Sequence, residues 1–187
     1  TANIYLYTVN NGYASYTFNV QPSTHTLTVK SNDSSMGTVS GSGVYEEGEN
    51  VQISATAHYG YHFSRWNDGN VENPRIIVLT QDTALVAQFV SNQYTITTQV
   101  NDSESGQVFG GGVANYGEYV ELSAVANYGY HFAQWSDGNT DNPRIVQVTG
   151  DATYTAHFDK NTYIVTMNYN STEGTVSGAS SGQYLDN

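Results

Sequence analysis

Apolar and polar residues alternate along most of this chain, with a period of two residues. The alternation is clear at Val51, Ile53 and Ala55, which are separated by polar side chains. No stretch carries apolar residues at helical spacing over three turns. A period of two places one face of a strand in a core and the other in water, as in antiparallel sheets. The pattern therefore predicts an all-β chain, mainly antiparallel, made of short strands.

The sequence repeats itself with a shift of 69 positions. The segment Tyr59-Gly-Tyr-His-Phe63 returns as Tyr128-Gly-Tyr-His-Phe132. Residues 25–93 and 94–162 agree at about half of their positions without a gap, which is the signature of tandem copies of one module. We therefore predict two whole repeat modules, 25–93 and 94–162.

The two flanks of the modules continue the pattern. Tyr163-Ile-Val-Thr166 is similar to the start of the second module, so 163–187 is predicted to begin a following repeat. Residues 1–24 show a strand, a turn at Asn10-Asn-Gly12 and a second strand, like the predicted closing hairpin at 75–90. They are predicted to end a preceding repeat. The start Thr-Ala-Asn adds to the expectation that the chain is a segment of a longer array.

Each module is predicted to contain about six short strands, separated by clusters of Gly, Asn and Asp. A module of this length buries only about 60% of its unfolded surface, so aromatic side chains must supply much of the core. The linkers between modules are short, which predicts an elongated, semi-rigid array. In the first module the predicted strands lie near 25–31, 37–40, 50–58, 61–66, 75–80 and 83–90.

A motif of glycines and aromatic residues runs through both modules. It has the form Gly-x-Val-x-Gly-x-Gly, an apolar strand, Gly-Tyr-x-Phe-x-x-Trp-x-Asp-Gly, Asn-Pro, and a closing strand pair that ends in Ala-x-Phe. In the first module its residues are Gly37, Val39, Gly41, Gly43, Gly60, Tyr61, Phe63, Trp66, Asp68, Gly69, Asn73, Pro74, Ala87 and Phe89. In the second they are Gly106, Val108, Gly110, Gly112, Gly129, Tyr130, Phe132, Trp135, Asp137, Gly138, Asn142, Pro143, Ala156 and Phe158.

This motif resembles the divergent internalin-type B-repeat (InlB B-repeat) of bacterial surface proteins. The resemblance implies small β-grasp-like modules in tandem, although no helix can be read in this sequence where a true β-grasp has one. It also implies a place in a long secreted or wall-bound protein, as a stalk or adhesion segment. The family brings no catalytic residues to carry over to this chain.

The densest polar cluster of each module lies at 66–75 and at 135–144. One interpretation is a calcium site, because calcium prefers hard oxygen ligands. The alternative is a structural loop, since Asp-Gly and Asn-Pro are turn formers. Calcium loops usually carry more clustered carboxylates, which favours the structural loop. The candidate oxygen ligands of the first module are Asp68, Asn70, Glu72 and Asn73.

In the structural interpretation, Arg75 is the natural partner of Asp68 and stacks on Trp66. The indole ring itself is predicted to be a core side chain. The corresponding residues of the second module are Trp135, Asp137 and Arg144.

Four tyrosines in or beside predicted turns are candidate ligand contacts. Aromatic faces of this kind bind sugar rings in carbohydrate-binding proteins. The alternative is a half-buried strand residue, because tyrosine is common in strands. The outer aromatics are not expected to form one repeating site, since some have no aromatic counterpart in the other module. The four are Tyr45, Tyr59, Tyr119 and Tyr128.

Composition narrows the function further. With seventeen acidic and five basic residues the formal net charge is −12, which argues against nucleic acid and anionic membrane as partners. The chain has no cysteine, which excludes disulfides and thiol chemistry. No apolar run approaches the roughly 20 residues of a membrane helix.

Metal and catalytic sites find little support in the sequence. His62 and His131 lack the converging partners of a zinc site, and no catalytic motif is present. We therefore expect no enzyme and no cofactor.

Two functions remain open. The first is a structural or adhesive stalk segment of a secreted or surface-anchored bacterial protein, outside the cell. Its partners would be other domains of the same protein, and a host or cell-surface protein or glycan. Weak tandem contacts gain avidity through effective concentration. The second is a carbohydrate-binding repeat array of a secreted polysaccharide-handling protein.

Overall fold

The computed structural model describes residues 2–7, 13–18, 22–166 and 181–185, with side chains described for 22–164. These residues form strands, turns and bends without a helix, so the predicted all-β fold is confirmed. In the same residues, no helix has the length and apolar character needed to span a membrane. The chain divides into two compact units, Thr1–Val90 and Ser91–Asn187.

The first unit contains a hairpin and the seven strands of the first module. The hairpin pairs β1 (Ala2–Tyr7) with β2 (Tyr13–Phe18), and Ala2 lies opposite Phe18. The module follows as β3 (Thr24–Ser31), β4 (Gly37–Ser40), β5 (Gly43–Glu46), β6 (Glu49–Ala57), β7 (Tyr61–Trp66), β8 (Arg75–Leu79) and β9 (Thr83–Ser91).

Two sheets make up the first module. The four-stranded sheet has the order β5–β3–β9–β7, and the three-stranded sheet has the order β4–β6–β8. Strands β3 and β9 are parallel, with Leu27 opposite Thr83. The pairs β3–β5, β4–β6 and β6–β8 are antiparallel. The first and last strands of the module therefore lie side by side in the middle of one sheet.

The second unit repeats this arrangement. Its two sheets have the orders β12–β10–β16–β14 and β11–β13–β15, with β10 and β16 parallel, and a further pair joins β17 to β18. The strands are β10 (Gln93–Val100), β11 (Gly106–Gly110), β12 (Gly112–Asn115), β13 (Tyr119–Ala126), β14 (Tyr130–Trp135), β15 (Arg144–Gln147), β16 (Ala152–Lys160), β17 (Thr162–Thr166) and β18 (Ser181–Leu185).

Each module has one strand more than the six that the sequence predicted. The additional strands are β5 and β12, which are four residues long. A strand of four residues that lies between two glycine turns is too short to show a clear alternation. In the first module these turns contain Gly41 and Gly48, whose φ angles are 108° and 83°.

The predicted closing hairpin at 75–90 is wrong, because β8 and β9 belong to different sheets. The carboxylate of Asp82 accepts the N–H of Thr26 in β3 at 2.7 Å, and Asp151 accepts that of Thr95 in β10 at 2.7 Å. These contacts fix the start of the last strand beside the first strand. The connection therefore crosses from one sheet to the other instead of turning back.

Both flanks contain paired strands in the described residues. The hairpin predicted for 1–24 is present as β1 and β2, although the closing strands of a whole module do not pair in this way. Strands β17 and β18 pair as β3 pairs with β5. The predicted turn at 10–12 lies outside the described residues, as does the segment between β17 and β18. The assignment of the flanks to neighbouring repeats stays a prediction.

Each module has one apolar core to which both sheets contribute. In β6 the buried residues alternate with more exposed ones, as the sequence pattern predicted. In the first module the Phe63 ring lies 5.3 Å from that of Trp66 and 6.2 Å from that of Phe89, measured between ring centres. The buried residues of this core are Leu27, Val29, Val51, Ile53, Ala55, Trp66, Leu79, Leu85, Ala87 and Phe89.

The first glycine of the motif is explained by its closeness to the core. A Cβ atom at Gly37 would lie 2.5 Å from the Phe89 ring, and one at Gly106 would lie 2.6 Å from the Phe158 ring. Both contacts are far inside van der Waals distance. Because Gly37 on β4 and Gly106 on β11 have no side chain, the Phe89 and Phe158 rings can fill the end of the core.

Candidate functional site

The loop after β7 is held against the buried tryptophan. Trp66 is fully buried, and its indole N–H donates to the carbonyl oxygen of Glu72 at 2.9 Å. The backbone N–H of Trp66 donates to the carbonyl of Asn70 at 2.8 Å. Gly69 has a φ of 87° and open space where a Cβ would stand, so the turn requires glycine for its backbone conformation. The polar loop is therefore attached to the core.

Asp68 and Arg75 form a two-contact ion pair across this loop. The guanidinium Nη1 and Nη2 atoms lie 3.1 and 2.7 Å from the two carboxylate oxygens. The Arg75 side chain is 6% exposed and that of Asp68 is 43% exposed. The guanidinium carbon lies 5.5 Å from the centre of the Trp66 ring. The structure thus brings together the three side chains that the sequence placed in one structural cluster.

The ion pair also changes the acidity of the carboxyl group. The hydrogen bonds from Arg75 hold the pKa of Asp68 below its ordinary value, against a smaller opposing effect of burial. The Arg144 guanidinium lowers the pKa of Asp137 in the same way. Both carboxyl groups therefore remain ionised at neutral pH, as a structural ion pair requires.

The second module differs in the aromatic ring beneath its arginine. Arg144 Nη1 contacts the two carboxylate oxygens of Asp137 at 2.7 and 2.8 Å. Its guanidinium carbon lies 5.0 Å from the centre of the Tyr154 ring. The position of Tyr154 is occupied by Leu85 in the first module. Trp135 remains fully buried and donates its indole N–H to the carbonyl of Asp141 at 3.0 Å.

Asn73 has a role that sequence reasoning missed. Its side-chain oxygen accepts the N–H of Ala55 at 2.9 Å, and its side-chain nitrogen donates to the Ala55 carbonyl at 2.6 Å. The ladder between β6 and β8 ends at the pair Ile53–Arg75, so this amide extends the pairing to Ala55, two residues further along β6. Asn142 makes the same two contacts with Ala124, at 2.8 and 2.7 Å.

Three of the four residues proposed as calcium ligands already use their side-chain oxygens in protein contacts. The carboxylate of Asp68 binds Arg75, the side-chain oxygen of Asn70 accepts the N–H of Glu72 at 2.7 Å, and that of Asn73 binds Ala55. Within the described residues, no group of three or more His, Cys, Asp or Glu side chains is arranged to hold a metal ion. The geometry therefore favours the structural interpretation of this loop.

Within neither module do the two candidate tyrosines form one exposed strip. Tyr45 is half-buried against the core and donates its hydroxyl to the Gly41 carbonyl at 3.0 Å. The other three are exposed, Tyr59 by 74%, Tyr119 by 69% and Tyr128 by 93%. Tyr119 begins β13 and Tyr128 lies in the turn beyond its end, so the length of the strand, roughly 24 Å, lies between them. Tyr59 and Tyr128 occupy the same position of the repeat, in the turn before β7 and before β14.

A shallow depression lies on the outer side of the four-stranded sheet of the first module. It is lined by residues from the start of β9 and from β3, namely Thr26, Thr28, Asp82, Thr83 and Ala84. Its carboxylate, from Asp82, accepts the backbone N–H of Thr26 and lies 3.9 Å from the His25 ring nitrogen. The acidic group therefore helps to hold two strands together.

A second exposed surface was missed by the sequence analysis. The outer face of the sheet β11–β13–β15 carries four large apolar side chains that are at least half exposed. Strand pairing is needed to see that they are neighbours. One signal was present in the sequence: at three of these four positions, the first repeat has a polar residue where the second has an apolar one. The four side chains are Phe109, Tyr119, Val125 and Ile145.

Comparison with known proteins identifies the repeats. A search of curated proteins and a search of solved structures each gave no match. A family model, the divergent InlB B-repeat domain, matches residues 27–93 and 96–162, which is well over half of the chain. Both matches begin two residues after the predicted module starts and end at the predicted module ends. Repeats of this type occur in surface or secreted proteins of bacteria. The chain therefore belongs to the divergent InlB B-repeat domain family.

Proposed function

We propose that this chain is a non-catalytic structural and adhesive segment of a secreted or surface-anchored bacterial protein. One observation carries the proposal. In both modules the densest polar cluster is used to hold the loop onto the core, through the pairs Asp68–Arg75 and Asp137–Arg144. Polar side chains that bind to each other within the loop stabilise the fold of the module, and this supports a structural role. The repeated unit is therefore interpreted as a building element that presents other parts of the protein.

The family membership supports a position outside the cell. Repeats of this family occur in surface or secreted proteins, and the acidic chain, with a formal charge of −12, suits a soluble, self-repelling surface. The proposed partners are the other domains of the same protein, together with a host or cell-surface protein or glycan.

The location is tested on bacteria that produce the full protein. An antibody raised against the 187-residue chain is expected to label intact cells, or the culture fluid if the protein is released. An antibody against a cytoplasmic enzyme is the control for cell integrity. Labelling that appears only after lysis would contradict the proposal.

The structural role is tested by pulling on the chain. Each matched repeat spans 67 residues, so the unfolding of one module should lengthen the chain by roughly 20 nm. Force spectroscopy is expected to show two such steps per chain. A single step for the whole chain, or a gradual extension without steps, would contradict a segment made of two folded load-bearing modules.

A carbohydrate-binding array is the second candidate. It is supported by Tyr59 and Tyr128, because two strongly exposed rings at one position of the repeat suit weak multivalent sugar contacts. A glycan array probed with the full chain tests it. Binding that disappears in the double variant Tyr59→Ala/Tyr128→Ala, and persists in Tyr119→Ala, would favour this candidate. No binding of any glycan by the folded chain would exclude it.

A further inference from the structure

We propose that the outer face of the three-stranded sheet of the second module binds a protein surface on which Lys or Arg lies between apolar side chains. The inference gives the proposed adhesive segment a binding surface and a partner chemistry, and it rests on that proposed function. The surface, called here the apolar patch, consists of Phe109, Tyr119, Glu121, Val125 and Ile145.

The four apolar members of the apolar patch lie on the water-exposed side of their strands. They are exposed by 51% at Phe109, 69% at Tyr119, 56% at Val125 and 65% at Ile145. Their neighbours Leu122 and Val146 point into the core and are buried. Apolar side chains gathered on a wet face mark interaction sites more often than isolated ones do.

Strand register places these side chains beside each other. Glu121 on β13 lies opposite Ile145 on β15, and Tyr119 lies two residues along β13 on the same face. Phe109 on β11 lies opposite Ser123, with Val125 as its diagonal neighbour. Diagonal neighbours on one face are about 7–8 Å apart, within reach of aromatic side chains. Tyr119, Ile145 and Phe109 therefore surround the carboxylate of Glu121.

The first module shows that the fold does not require these apolar side chains. It has the same strand order and register, yet it carries polar residues at three of the four apolar positions. Its glutamine at the position of Glu121 is also uncharged. The corresponding residues of the first module are Ser40, Asn50, Gln52, Thr56 and Ile76. The fold of the module therefore does not need the apolar groups at three of these positions or the charge at the fourth.

The unmatched charge defines the partner. Glu121 is exposed, and no hydrogen bond or ion pair joins its side chain to another described residue. The outer face of β11, β13 and β15 presents no lysine or arginine. A bound surface would remove this carboxylate from water, and a cation on the partner compensates that cost best. We therefore assign to the partner a Lys or Arg together with apolar side chains that cover the rings.

A second copy of this chain does not fit that description. The chain has only five basic residues, and two of them, Arg75 and Arg144, are engaged in the ion pairs of the loops. A symmetric contact through the apolar patch would place Glu121 near the Glu121 of the second copy. Two chains of formal charge −12 also repel each other.

The test uses the full chain and a peptide array as the probe. The first set of peptides carries Lys or Arg between two apolar residues, and the matched set has Glu in place of the cation. We expect the full chain to bind the basic set and not the acidic set. In NMR spectra, the best basic peptide should shift the amide signals of β11, β13 and β15.

The variant returns the second module to residues that the first module already carries. Phe109→Ser/Tyr119→Asn/Val125→Thr is expected to keep the thermal unfolding of the second module close to normal, and to weaken binding of the basic peptide at least about tenfold. Glu121→Gln should reduce the preference for basic over neutral peptides by about threefold or more. Ile76→Thr, on the corresponding face of the first module, is the control and should bind like the unchanged chain.

Several results would overturn the proposal. They are equal binding of basic and acidic peptides, full binding by the folded triple variant, and amide shifts confined to another face. Self-association that the triple variant abolishes would assign the apolar patch to a second copy, and shifts caused by glycans alone would assign it to a sugar. If cell labelling succeeds and these peptide experiments fail, only the partner is wrong. If cell labelling fails, the proposed function itself falls.

Discussion

At the scale of single residues, each module depends on a tryptophan that has both an apolar and a polar role. The Trp66 ring fills the core beside Phe63, while its indole N–H holds the following loop through the Glu72 carbonyl. Trp135 repeats both contacts in the second module. One side chain therefore joins the packing of the sheets to the shape of the polar loop.

Replacement of this tryptophan should destabilise its module strongly. Trp66→Ala is expected to lower the free energy of unfolding by about 3–5 kcal/mol, because a large cavity remains in a small core. Chemical denaturation followed by circular dichroism measures it. Tyr128→Ala removes a ring that is 93% exposed and is the control, with an expected change within about 0.5 kcal/mol. A loss below about 1 kcal/mol for Trp66→Ala would contradict burial of the ring.

The ion pair of the loop predicts a pH dependence. Since the pKa of Asp68 is lower in the folded state, the pair stabilises the fold above the unfolded pKa of about 3.9, and this contribution is lost as pH falls through the folded pKa. Asp68→Asn leaves the buried Arg75 without its partner, and should cost about 1–2 kcal/mol at pH 7. The partial exposure of Asp68 keeps the expected value low.

The measurement is the free energy of unfolding at pH 7 and again near pH 2.5. The difference between Asp68→Asn and the unchanged chain should shrink as pH falls from 7 towards 2.5. Asp68 takes up a proton first in the unfolded state, and then in the folded state as pH falls through the lowered folded pKa. Glu72→Gln removes an equal charge from the same loop without touching Arg75, and should show little effect. A difference that is the same at both pH values would mean that the ion pair is not its cause.

At the scale of elements, side chains complete the strand ladders where the backbone cannot. Asp82 supplies an acceptor at the start of the β3–β9 pair, and Asn73 supplies both a donor and an acceptor beside Ala55 in β6. A buried backbone N–H or carbonyl group that has no hydrogen-bond partner destabilises the folded state. These polar residues therefore fix where each strand begins and ends.

Removal of the Asn73 amide should loosen the C-terminal part of β6, around Ala55. Asn73→Ala deletes two hydrogen bonds and is expected to cost about 2 kcal/mol. Amide exchange measured by NMR should become faster at Ala55, whereas Ala124 in the second module, which is bonded to Asn142, provides the internal control. Unchanged exchange at Ala55 would show that the side chain does not complete the ladder.

The sequence predicted the elements that repeat a local pattern. The alternation in β6 assigned Val51, Ile53 and Ala55 to the core, and the structure buries all three. Strand β5 was missed because four residues contain only two alternations. The parallel pairing of β3 and β9 has no local signal, since each strand alone has the same pattern in either direction. The predicted hairpin at 75–90 failed for that reason.

The candidate site was predicted in part for a similar reason. The ion pair of Asp68 with Arg75 follows from opposite charges seven residues apart around a turn, so the sequence contained it. The contact of Asn73 with Ala55 joins two different elements and needed the fold. The apolar patch also needed the fold, because Phe109 and Ile145 lie on one face, on either side of β13, only once β11, β13 and β15 are paired.

At the scale of the whole molecule, the chain is two compact units that each contain a separate core. We therefore expect damage to one core to leave the other folded. In Trp66→Ala, the fluorescence of Trp135 should keep its normal denaturation midpoint, with a stability change within about 0.5 kcal/mol for the second module. A shift of that midpoint comparable to the loss in the first module would show that the two cores are coupled.

The parallel pairing of the first and last strands has a consequence for synthesis on the ribosome. Leu27 meets Thr83 only after the whole intervening segment has been made, so most of a module must emerge before its central sheet can close. Pairings of such high sequence separation also slow folding, because a long loop is closed before its contacts form. A shortened module lacks one of its two central strands. Gene duplication can therefore add or remove this fold only in whole modules, which matches the ungapped period of the repeat.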